Sequence, residues 1–289
     1  MRDYLVRGTV KNRGIRVFAC RTTNLLEKAR QMHDLWPTSA AALGRMMSAT
    51  LMMSSMSKNN EKMTVTINGG GPIGTMLCVT QGDGKIKGFV AEPHCMYSNS
   101  QTGKLAVGYA VGNQGYLQVI KDMGLKEPFV SQVQLLTGEI GDDFSEFFYT
   151  SEQTGSAVSV GVLVNDDNTI LASGGFIVQL LPDATDADIT YIENALKDFP
   201  PVSSLIHEGL NPEEILLKLM SDVEILGSQD LDFECGCSKD NFSAALMTLG
   251  KSEIISMIEE DGQCEINCQF CNTKYHFSKE ELEELVSQM

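Results

Sequence analysis

The sequence predicts an α+β protein with an N-terminal mixed strand and helix domain, a helical linker and a small C-terminal domain. Three observations predict this division. Short segments that alternate apolar and polar residues, separated by Gly and Asn turns, fill the first part of the chain. An acidic, Pro-interrupted segment with helical periodicity follows it, and five of the eight cysteines lie in the last part. We therefore place the domains at residues 1–181, 182–230 and 231–289.

The N-terminal domain contains both kinds of pattern. Two helices are predicted, Thr23–Leu35 and Pro37–Met56, and the second has Pro37 in the favoured first turn. The methionines of the second helix are expected in a core, although flexible Met side chains also suit varied apolar partners. The alternating segments predict strands at Tyr4–Val10, Ile15–Arg21, Met63–Asn68, Ile86–Glu92, Tyr116–Lys121 and Ala157–Asn165.

The linker shows two short amphipathic helices. The first ends at Pro200-Pro201, and the second starts at Pro212 with Asn211 as its cap. Isolated short helices are marginal in water, so both need an apolar surface to lie on. The first helix presents one apolar face, formed by Ile189, Ile192, Leu196 and Phe199.

The C-terminal domain should contain three helices. Lys239–Leu249 and Ser252–Glu260 have helical patterns, with Gly250 between them. Ser278 and Glu281 predict a capping box at the start of a last helix. Phe277 and Leu282 are spaced for the hydrophobic staple that accompanies such a box.

The net charge of -16 is distributed unevenly. Residues 1–178 hold 16 basic and 15 acidic side chains, whereas residues 179–289 hold 6 basic and 23 acidic ones. This balance disfavours nucleic acid as a partner, because phosphate binding needs clustered Lys and Arg. An acidic, self-repelling segment should pack less firmly than the rest, although a solvated surface suited to solubility explains the charge equally well.

The expected cellular location of the protein follows from the lack of two sequence features. We find no run of about 20 apolar residues and no secretory-signal layout at the amino terminus, so we expect a soluble, cytoplasmic protein without a membrane partner. A reducing cytosol disfavours a disulfide scaffold. Cys20, Cys78 and Cys95 are therefore expected to be inert, largely buried thiols.

Two closely spaced cysteine pairs predict a metal site. Cys235 and Cys237 form a Cys-x-Cys pair, called the CxC motif below, and Cys268 and Cys271 form a Cys-x-x-Cys pair, called the CxxC motif. Two such pairs, brought together by the intervening residues, commonly complete a tetrahedral sulfur shell around zinc. Sulfur ligands favour zinc over magnesium or calcium. The C-terminal domain is therefore predicted to be a small zinc-binding domain.

The four cysteines could be a structural site or a sensor, and the residues alone leave both open. Structural zinc contributes about 10–16 kcal/mol to the folding of small domains. Oxidised sulfur is a poor ligand, so the same thiolates can instead become disulfides. Cys264 is a possible extra thiol or substitute ligand, and His276 is a weaker candidate, expected to be a surface or half-buried side chain.

A glycine-rich segment is the other motif considered. Residues 69–74 fit G-x-G-x-x-G, but a strand pattern rather than a helix follows at Thr75–Thr80, so we expect a turn instead of a nucleotide site. No nucleophile elbow or Ser-His-Asp arrangement is present. We therefore expect no catalytic residues and no enzyme.

Taken together, these residues resemble the redox-regulated 33 kDa heat-shock chaperone family, cytosolic holdases of bacteria. The resemblance covers nearly the whole chain and includes the CxC and CxxC motifs. The similar segments are WPTSAAALGR, GGGPIG, GEIGDDFSEFFYTSEQ, GGFIVQLLP and DGQCEINCQFCNTKYHF.

The resemblance implies an inactive and an active state. In the reduced, inactive state the four cysteines hold zinc and the linker folds over the first domain. Peroxide with heat, or hypochlorous acid, then forms Cys235–Cys237 and Cys268–Cys271 disulfides, releases zinc and unfolds the C-terminal region. The active form, as a homodimer and without ATP, binds unfolded or partly folded clients under oxidative stress. Cys264 departs from the family pattern and could mispair.

Two other functions stay open from the residues alone. A thiol oxidoreductase would need an exposed cysteine of low pKa that turns over. A zinc-stabilised binding adaptor would bind its partner equally well in the oxidised and the reduced form.

Overall fold

The computed structural model describes residues 1–57 and 61–289. The chain forms two compact units, Met1–Glu234 and Cys235–Met289, which we call the N-terminal unit and the C-terminal unit. Among the described residues, none of the helices has the length and apolar character needed to cross a membrane.

Strands and helices alternate irregularly, as expected for an α+β protein. The strands are β1 (Tyr4–Val10), β2 (Ile15–Arg21), β3 (Lys62–Asn68), β4 (Met76–Thr80), β5 (Lys85–Val90), β6 (Tyr116–Asp122), β7 (Phe129–Gln134), β8 (Ser156–Val164), β9 (Ile170–Leu180), β10 (Val223–Asp230), β11 (Asp232–Phe233), β12 (Gln263–Asn267) and β13 (Lys274–Ser278). The helices are α1 (Thr23–His33), α2 (Pro37–Ser54), α3 (Val107–Val111), α4 (Ile140–Thr150), α5 (Asp186–Leu196), α6 (Val202–His207), α7 (Pro212–Leu219), α8 (Lys239–Leu249), α9 (Lys251–Glu260) and α10 (Lys279–Gln288).

Two sheets form the N-terminal unit. The first has five antiparallel strands in the order β10-β1-β2-β9-β8. The second has six strands in the order β11-β5-β4-β3-β6-β7, and only the β11-β5 pair is parallel. Each sheet contains strands from distant parts of the chain, so each sheet depends on contacts between residues that are remote in sequence.

Helix α2 packs against strands of both sheets. Every residue of this helix is buried except Arg45, which is partly buried. Met46, Met47, Met52 and Met53 lie in the main core, which confirms that the methionine-rich stretch is core. Pro37 starts the helix as predicted, whereas the helix ends at Ser54 rather than Met56.

Helix α1 is also shorter than predicted. It ends at His33, because Asp34 adopts a left-handed conformation with φ of 51° that terminates the helix. The glycine-rich segment is a turn followed by β4, so the strand prediction there is confirmed. A side chain on Gly69 would collide with the carbonyl oxygen of Gly112, which explains the glycine by a close backbone approach.

The linker residues pack on the first sheet. Asn211 caps α7 as predicted, and its side chain forms a capping box with Glu214. Three residues of the predicted apolar face of the first linker helix, Ile192, Leu196 and Phe199, pack against the sheet cluster as predicted. Ile189 is instead exposed, and Tyr191 packs there in addition. Residues 223–230, for which the sequence predicts part of a helical linker, form strand β10 instead. Whether residues 182–230 behave as a separate domain remains a prediction.

The C-terminal unit combines three helices with the β12-β13 hairpin. The predicted capping box of Ser278 and Glu281 is present at the start of α10. Phe277 and Leu282 are both buried in the same cluster, in agreement with the predicted staple. The cluster has five buried apolar residues, Leu246, Ile254, Phe277, Leu282 and Leu285. This is a small core for a folded unit.

Candidate metal centre

Two loops of the C-terminal unit carry the paired cysteines. The CxC motif lies just before α8, whose cap is Ser238. Gly236 between the two cysteines has a φ of 66°, a left-handed conformation that a glycine adopts without steric cost. This turn places both cysteine side chains of the motif beside the other loop.

The CxxC motif occupies the turn between β12 and β13. The Cys268 amide donates to the Thr273 carbonyl at 3.0 Å, and the Asn272 amide donates to the Cys268 carbonyl at 2.8 Å. Asn272 has a φ of 54°, a conformation that asparagine tolerates better than most residues. The hairpin and its turn therefore hold the two sulfurs in place.

The four sulfur atoms meet in one cluster. All of them lie within 4.8 Å of one another. Across the two motifs, the Sγ atoms are 3.5 Å apart for Cys235 and Cys268 and 3.4 Å apart for Cys237 and Cys271. Zinc–sulfur bonds of about 2.3 Å in a tetrahedron require sulfur separations of about 3.8 Å. Small adjustments would therefore allow the cluster to hold a tetrahedral metal ion.

The environment of each thiol differs within the cluster. Partial burial, followed by the contact with Cys268, raises the pKa of Cys235. Burial also raises the pKa of Cys268. Partial burial acts to raise the pKa of Cys271, but hydrogen bonds from the Thr273 side chain and backbone outweigh it and bring the pKa to about 7. These pKa shifts are those of the metal-free thiols. A bound metal ion would favour the thiolate form of all four cysteines.

Two hydroxyl groups that no sequence motif predicted lie beside the sulfurs. The Tyr275 hydroxyl is 3.1 Å from the Cys237 sulfur, and the Cys271 thiol donates to the Thr273 hydroxyl at 3.2 Å. Thr273 precedes β13 and Tyr275 lies within it. Their position directly after the CxxC motif is the signal in the sequence that could have identified both.

Cys264 and His276 lie outside the sulfur cluster. Cys264 is on β12 opposite Phe277 and packs against the small core. Burial raises its pKa. The His276 side chain is 69% exposed, and its Nε2 is 3.1 Å from a carboxylate oxygen of Glu265. The structure therefore brings the two motifs together without either of these residues.

The remaining cysteines are buried in the N-terminal unit. Burial raises the pKa of Cys20 to about 12 and also raises the pKa of Cys78. Cys95 is 6% exposed and lies in the main core. Cys20 and Cys78 are therefore poor nucleophiles at neutral pH, because the thiolate is the reactive form.

The sequence and the fold were compared with those of known proteins. The sequence profile described as "Hsp33 protein" matches residues 3–278. The chain belongs to the Hsp33 family. The 33 kDa chaperonin of Bacillus subtilis strain 168 is 48% identical over 287 residues, which cover 99% of each chain. The 33 kDa chaperonin of Bacillus cereus strain ATCC 14579 is 43% identical over 291 residues, which cover 100% of each chain.

A solved structure of the Hsp33 family has the same fold. The crystal structure of the 33 kDa chaperonin from Thermotoga maritima matches with a TM-score of 0.90 and 33% identity. The match covers 100% of this chain and 99% of that one. Membership of Hsp33 supports a role as a heat-shock chaperone, and the names of these relatives do not indicate an enzyme.

Proposed function

We propose that this chain is a redox-regulated, ATP-independent holdase whose C-terminal unit senses oxidants. In its reduced form, Cys235, Cys237, Cys268 and Cys271 hold zinc and the protein is inactive. Oxidation releases the zinc, unfolds the linker and exposes a surface that binds unfolded or partly folded proteins. The active form is a homodimer in the bacterial cytoplasm, where thiols are kept reduced until oxidative stress.

The observation that carries this proposal is the sulfur cluster within a unit that has little core. When bound, zinc would supply a cross-link between the two loops that carry the CxC and CxxC motifs. The four sulfur ligands are soft donors, which zinc prefers to the oxygen ligands suited to magnesium or calcium. Because only five apolar residues are buried in that core, the fold of the C-terminal unit should depend on these sulfurs.

The oxidation step is balanced by peroxide. Two thiolates lose two electrons to form one disulfide, while one hydrogen peroxide takes up those electrons and two protons and leaves as two waters. Two peroxides therefore oxidise all four cysteines. We propose Cys235–Cys237 and Cys268–Cys271 as the disulfides. This pairing rests on the resemblance to the family, since the two short sulfur separations, 3.5 and 3.4 Å, both join one motif to the other.

The linker covers an apolar face of the first sheet, which supports an occluded binding surface. Helix α6 packs on β8 and β9, and α7 packs on β1 and β2. The rings of Phe176 on β9 and Phe199 after α5 are 5.5 Å apart. The strand residues of this shared cluster include Val6, Val17, Phe176 and Val178. Unfolding of the linker would expose these side chains, and exposed apolar patches bind other chains.

Polar contacts hold the linker to the same sheet. The Tyr4 hydroxyl donates to Glu213 on α7 at 2.6 Å. Arg13 donates to Asp188 on α5 at 3.2 Å, and its guanidinium lies 3.9 Å from the centre of the Tyr191 ring. Such contacts contribute modestly at a partly exposed site. These polar contacts therefore add modestly to the apolar packing that docks the linker on the sheet.

The test follows the three coupled events during oxidation. Zinc content, thiol count and protection of a denatured client from aggregation are measured in parallel as reduced protein is treated with peroxide at mild heat. We expect release of about one zinc per chain, as one four-thiolate site requires. Thiol loss and client protection should rise with the same time course, and no ATP should be required.

Two variants make this test specific. Cys264→Ser should leave zinc content and activation unchanged, because Cys264 lies outside the sulfur cluster. Cys268→Ser should lose zinc and should respond no longer to oxidant. Retention of zinc by the oxidised wild type without any gain in protection would overturn the proposal. Turnover in a disulfide-reductase assay would instead favour a thiol oxidoreductase, and equal client binding before and after oxidation would favour an adaptor.

A further inference from the structure

Two hydroxyl groups converge on one edge of the sulfur cluster. Tyr275 lies beside Cys237, and Thr273 lies beside Cys271. The sulfurs of these two cysteines are themselves 3.4 Å apart. Each motif therefore contributes one sulfur that has a hydroxyl neighbour, and the two hydroxyls belong to Thr273, just before β13, and to Tyr275 within it.

We infer that the hydroxyl groups of Tyr275 and Thr273 are positioning groups that set how tightly the four-cysteine site holds zinc and how much oxidant is needed to release it. This inference rests on the proposed function and names residues that regulate the same site. Both residues act through Cys237 and Cys271 and are not ligands themselves.

The direction of hydrogen bonding follows from the chemistry of the sulfur. A thiolate has no proton, so it can only accept, and the neighbouring hydroxyl must donate. Hydrogen bonds to a charged acceptor are stronger than those between neutral groups. Donation to a thiolate draws off part of its negative charge, which reduces repulsion among four closely packed sulfurs. Both hydroxyls therefore favour the reduced, metal-binding form.

Tyr275 is placed to distinguish the two redox states. Its hydroxyl lies 3.1 Å from the Cys237 sulfur and 3.2 Å from the carbonyl oxygen of Cys237. When the sulfur becomes part of a disulfide it loses its charge and becomes a weak acceptor. The hydroxyl therefore stabilises the thiolate more than the oxidised sulfur.

The ring of Tyr275 is held independently of its hydroxyl. It packs against Phe242 of α8, with ring centres 4.9 Å apart. Tyr275→Phe should therefore keep the packing of the ring and remove only the hydroxyl. Thr273 is an exposed residue, and its backbone carbonyl, which accepts from Cys268, is unchanged in Thr273→Val. Both substitutions isolate the hydroxyl groups.

The experiment uses the full-length, reduced, zinc-loaded protein. Zinc affinity is measured by competition with a chromophoric chelator, and the rate of zinc release is measured at a series of peroxide concentrations. Groups that orient metal ligands typically contribute about 10-fold to 100-fold in metal affinity. We expect about a 10-fold loss for Tyr275→Phe and for Thr273→Val, with faster zinc release at a given peroxide concentration. Thr273→Ser should restore wild-type behaviour, because it keeps the hydroxyl.

Matched controls remove hydroxyls that are remote from the sulfurs. Thr248→Val removes a hydroxyl that donates to the Ala245 carbonyl in α8, and Tyr149→Phe removes one from an exposed tyrosine of the N-terminal unit. Both should bind and release zinc as the wild type does. Circular dichroism of the zinc-loaded variants should match the wild type, so that a change in affinity is not a general loss of fold.

The outcomes separate this inference from the proposed function. Zinc affinities of Tyr275→Phe and Thr273→Val within twofold of the wild type would overturn the inference, whatever the client assay shows. If the wild type gains no client protection on oxidation, the holdase proposal fails, whereas a 10-fold change in the variants' zinc affinity would still support the role of the hydroxyls. A wild type that binds no zinc would overturn both.

Discussion

The two units of this chain differ in what can hold them together. The N-terminal unit buries large side chains such as Phe144, Phe147 and Phe233 within a core built from two sheets and several helices. The C-terminal unit buries five apolar residues and has a two-stranded hairpin as its sheet. Small domains bury little apolar surface, and many of them depend on a disulfide, a metal or a partner for stability.

This difference fits the separate tasks that we propose for the two units. A stable N-terminal unit can keep its sheets folded while an oxidant acts elsewhere. A C-terminal unit that depends on four sulfurs can lose its fold when those sulfurs change chemistry. The proposed sensor therefore lies in the unit with the smaller core, and the proposed binding surface lies in the unit with the larger one.

Removal of the metal should produce the largest difference in stability between the two units. Structural zinc contributes about 10–16 kcal/mol in small domains, so a strong zinc chelator should unfold residues 235–289 of the reduced protein. The N-terminal unit outside the linker, residues 1–181, should stay folded. Hydrogen exchange followed by mass spectrometry should show loss of protection in β12 and β13 with protection retained in β2 and β9. Equal loss in both units, or in neither, would contradict the contrast.

A cavity in the larger core should destabilise the N-terminal unit and leave the zinc site of the C-terminal unit unchanged. Phe144 is fully buried, and Phe→Ala substitutions in cores typically cost about 3–5 kcal/mol. Phe144→Ala should lower the urea midpoint of the N-terminal unit. The zinc affinity of the C-terminal unit, measured by chelator competition, should remain that of the wild type. A parallel loss of zinc affinity would show that the two units do not fold independently.

Helix caps allow a matched comparison between the units. Asn211 caps α7 in the N-terminal unit and Ser278 caps α10 in the C-terminal unit, each within a capping box. Replacement of such a cap by Ala costs about 1 kcal/mol. We expect Asn211→Ala to shift the urea midpoint of the N-terminal unit, and Ser278→Ala to weaken zinc binding because folding of the C-terminal unit and metal binding are linked. Weaker zinc binding in Asn211→Ala together with a lower urea midpoint of the N-terminal unit in Ser278→Ala would refute the assignment of each cap to its unit.

The smallest expected effect is the pH dependence of Asp188→Asn. The pKa of Asp188 is lowered, first by hydrogen bonds from the Thr185 backbone and side chain and further by Arg13. A lowered pKa in the folded state stabilises the fold above the unfolded-state pKa of about 3.9, and this stabilisation is lost as the pH falls through the folded-state value.

Asp188→Asn should therefore destabilise the N-terminal unit at pH 7 and have progressively less effect as the pH falls below 3.9. Urea unfolding of wild type and variant across this range measures the difference. The zinc site should not respond at pH 7, because Asp188 belongs to the N-terminal unit. A difference that is constant over the whole pH range would contradict an electrostatic origin.

Several elements were predictable because their signals are local. The strands β1 and β2 coincide with the predicted Tyr4–Val10 and Ile15–Arg21, since alternation of side chains reports the burial of one face. The capping boxes at Asn211 and Ser278 were predictable for a similar reason, because donor and acceptor lie three residues apart.

Other elements were missed because their partners are remote. Strand β10 contains Gly227 and several polar residues, and its backbone is paired by β1 at the other end of the N-terminal unit's sequence. The exposure of Ile189 was also missed, because the sheet beneath α5 receives Tyr191 instead. In both cases the surroundings in the fold outweigh a weak local preference.

By itself the sequence determined that the chain has two close pairs of cysteines, an acidic second part and a resemblance to a chaperone family, because spacing, charge and motifs are properties of the linear chain. Only the tertiary structure decided that the four sulfurs lie within 4.8 Å, that Tyr275 and Thr273 place hydroxyls beside two of them, and that the linker helices cover an apolar sheet face. Distances between residues remote in sequence depend on how the elements pack, and local patterns carry no record of that packing.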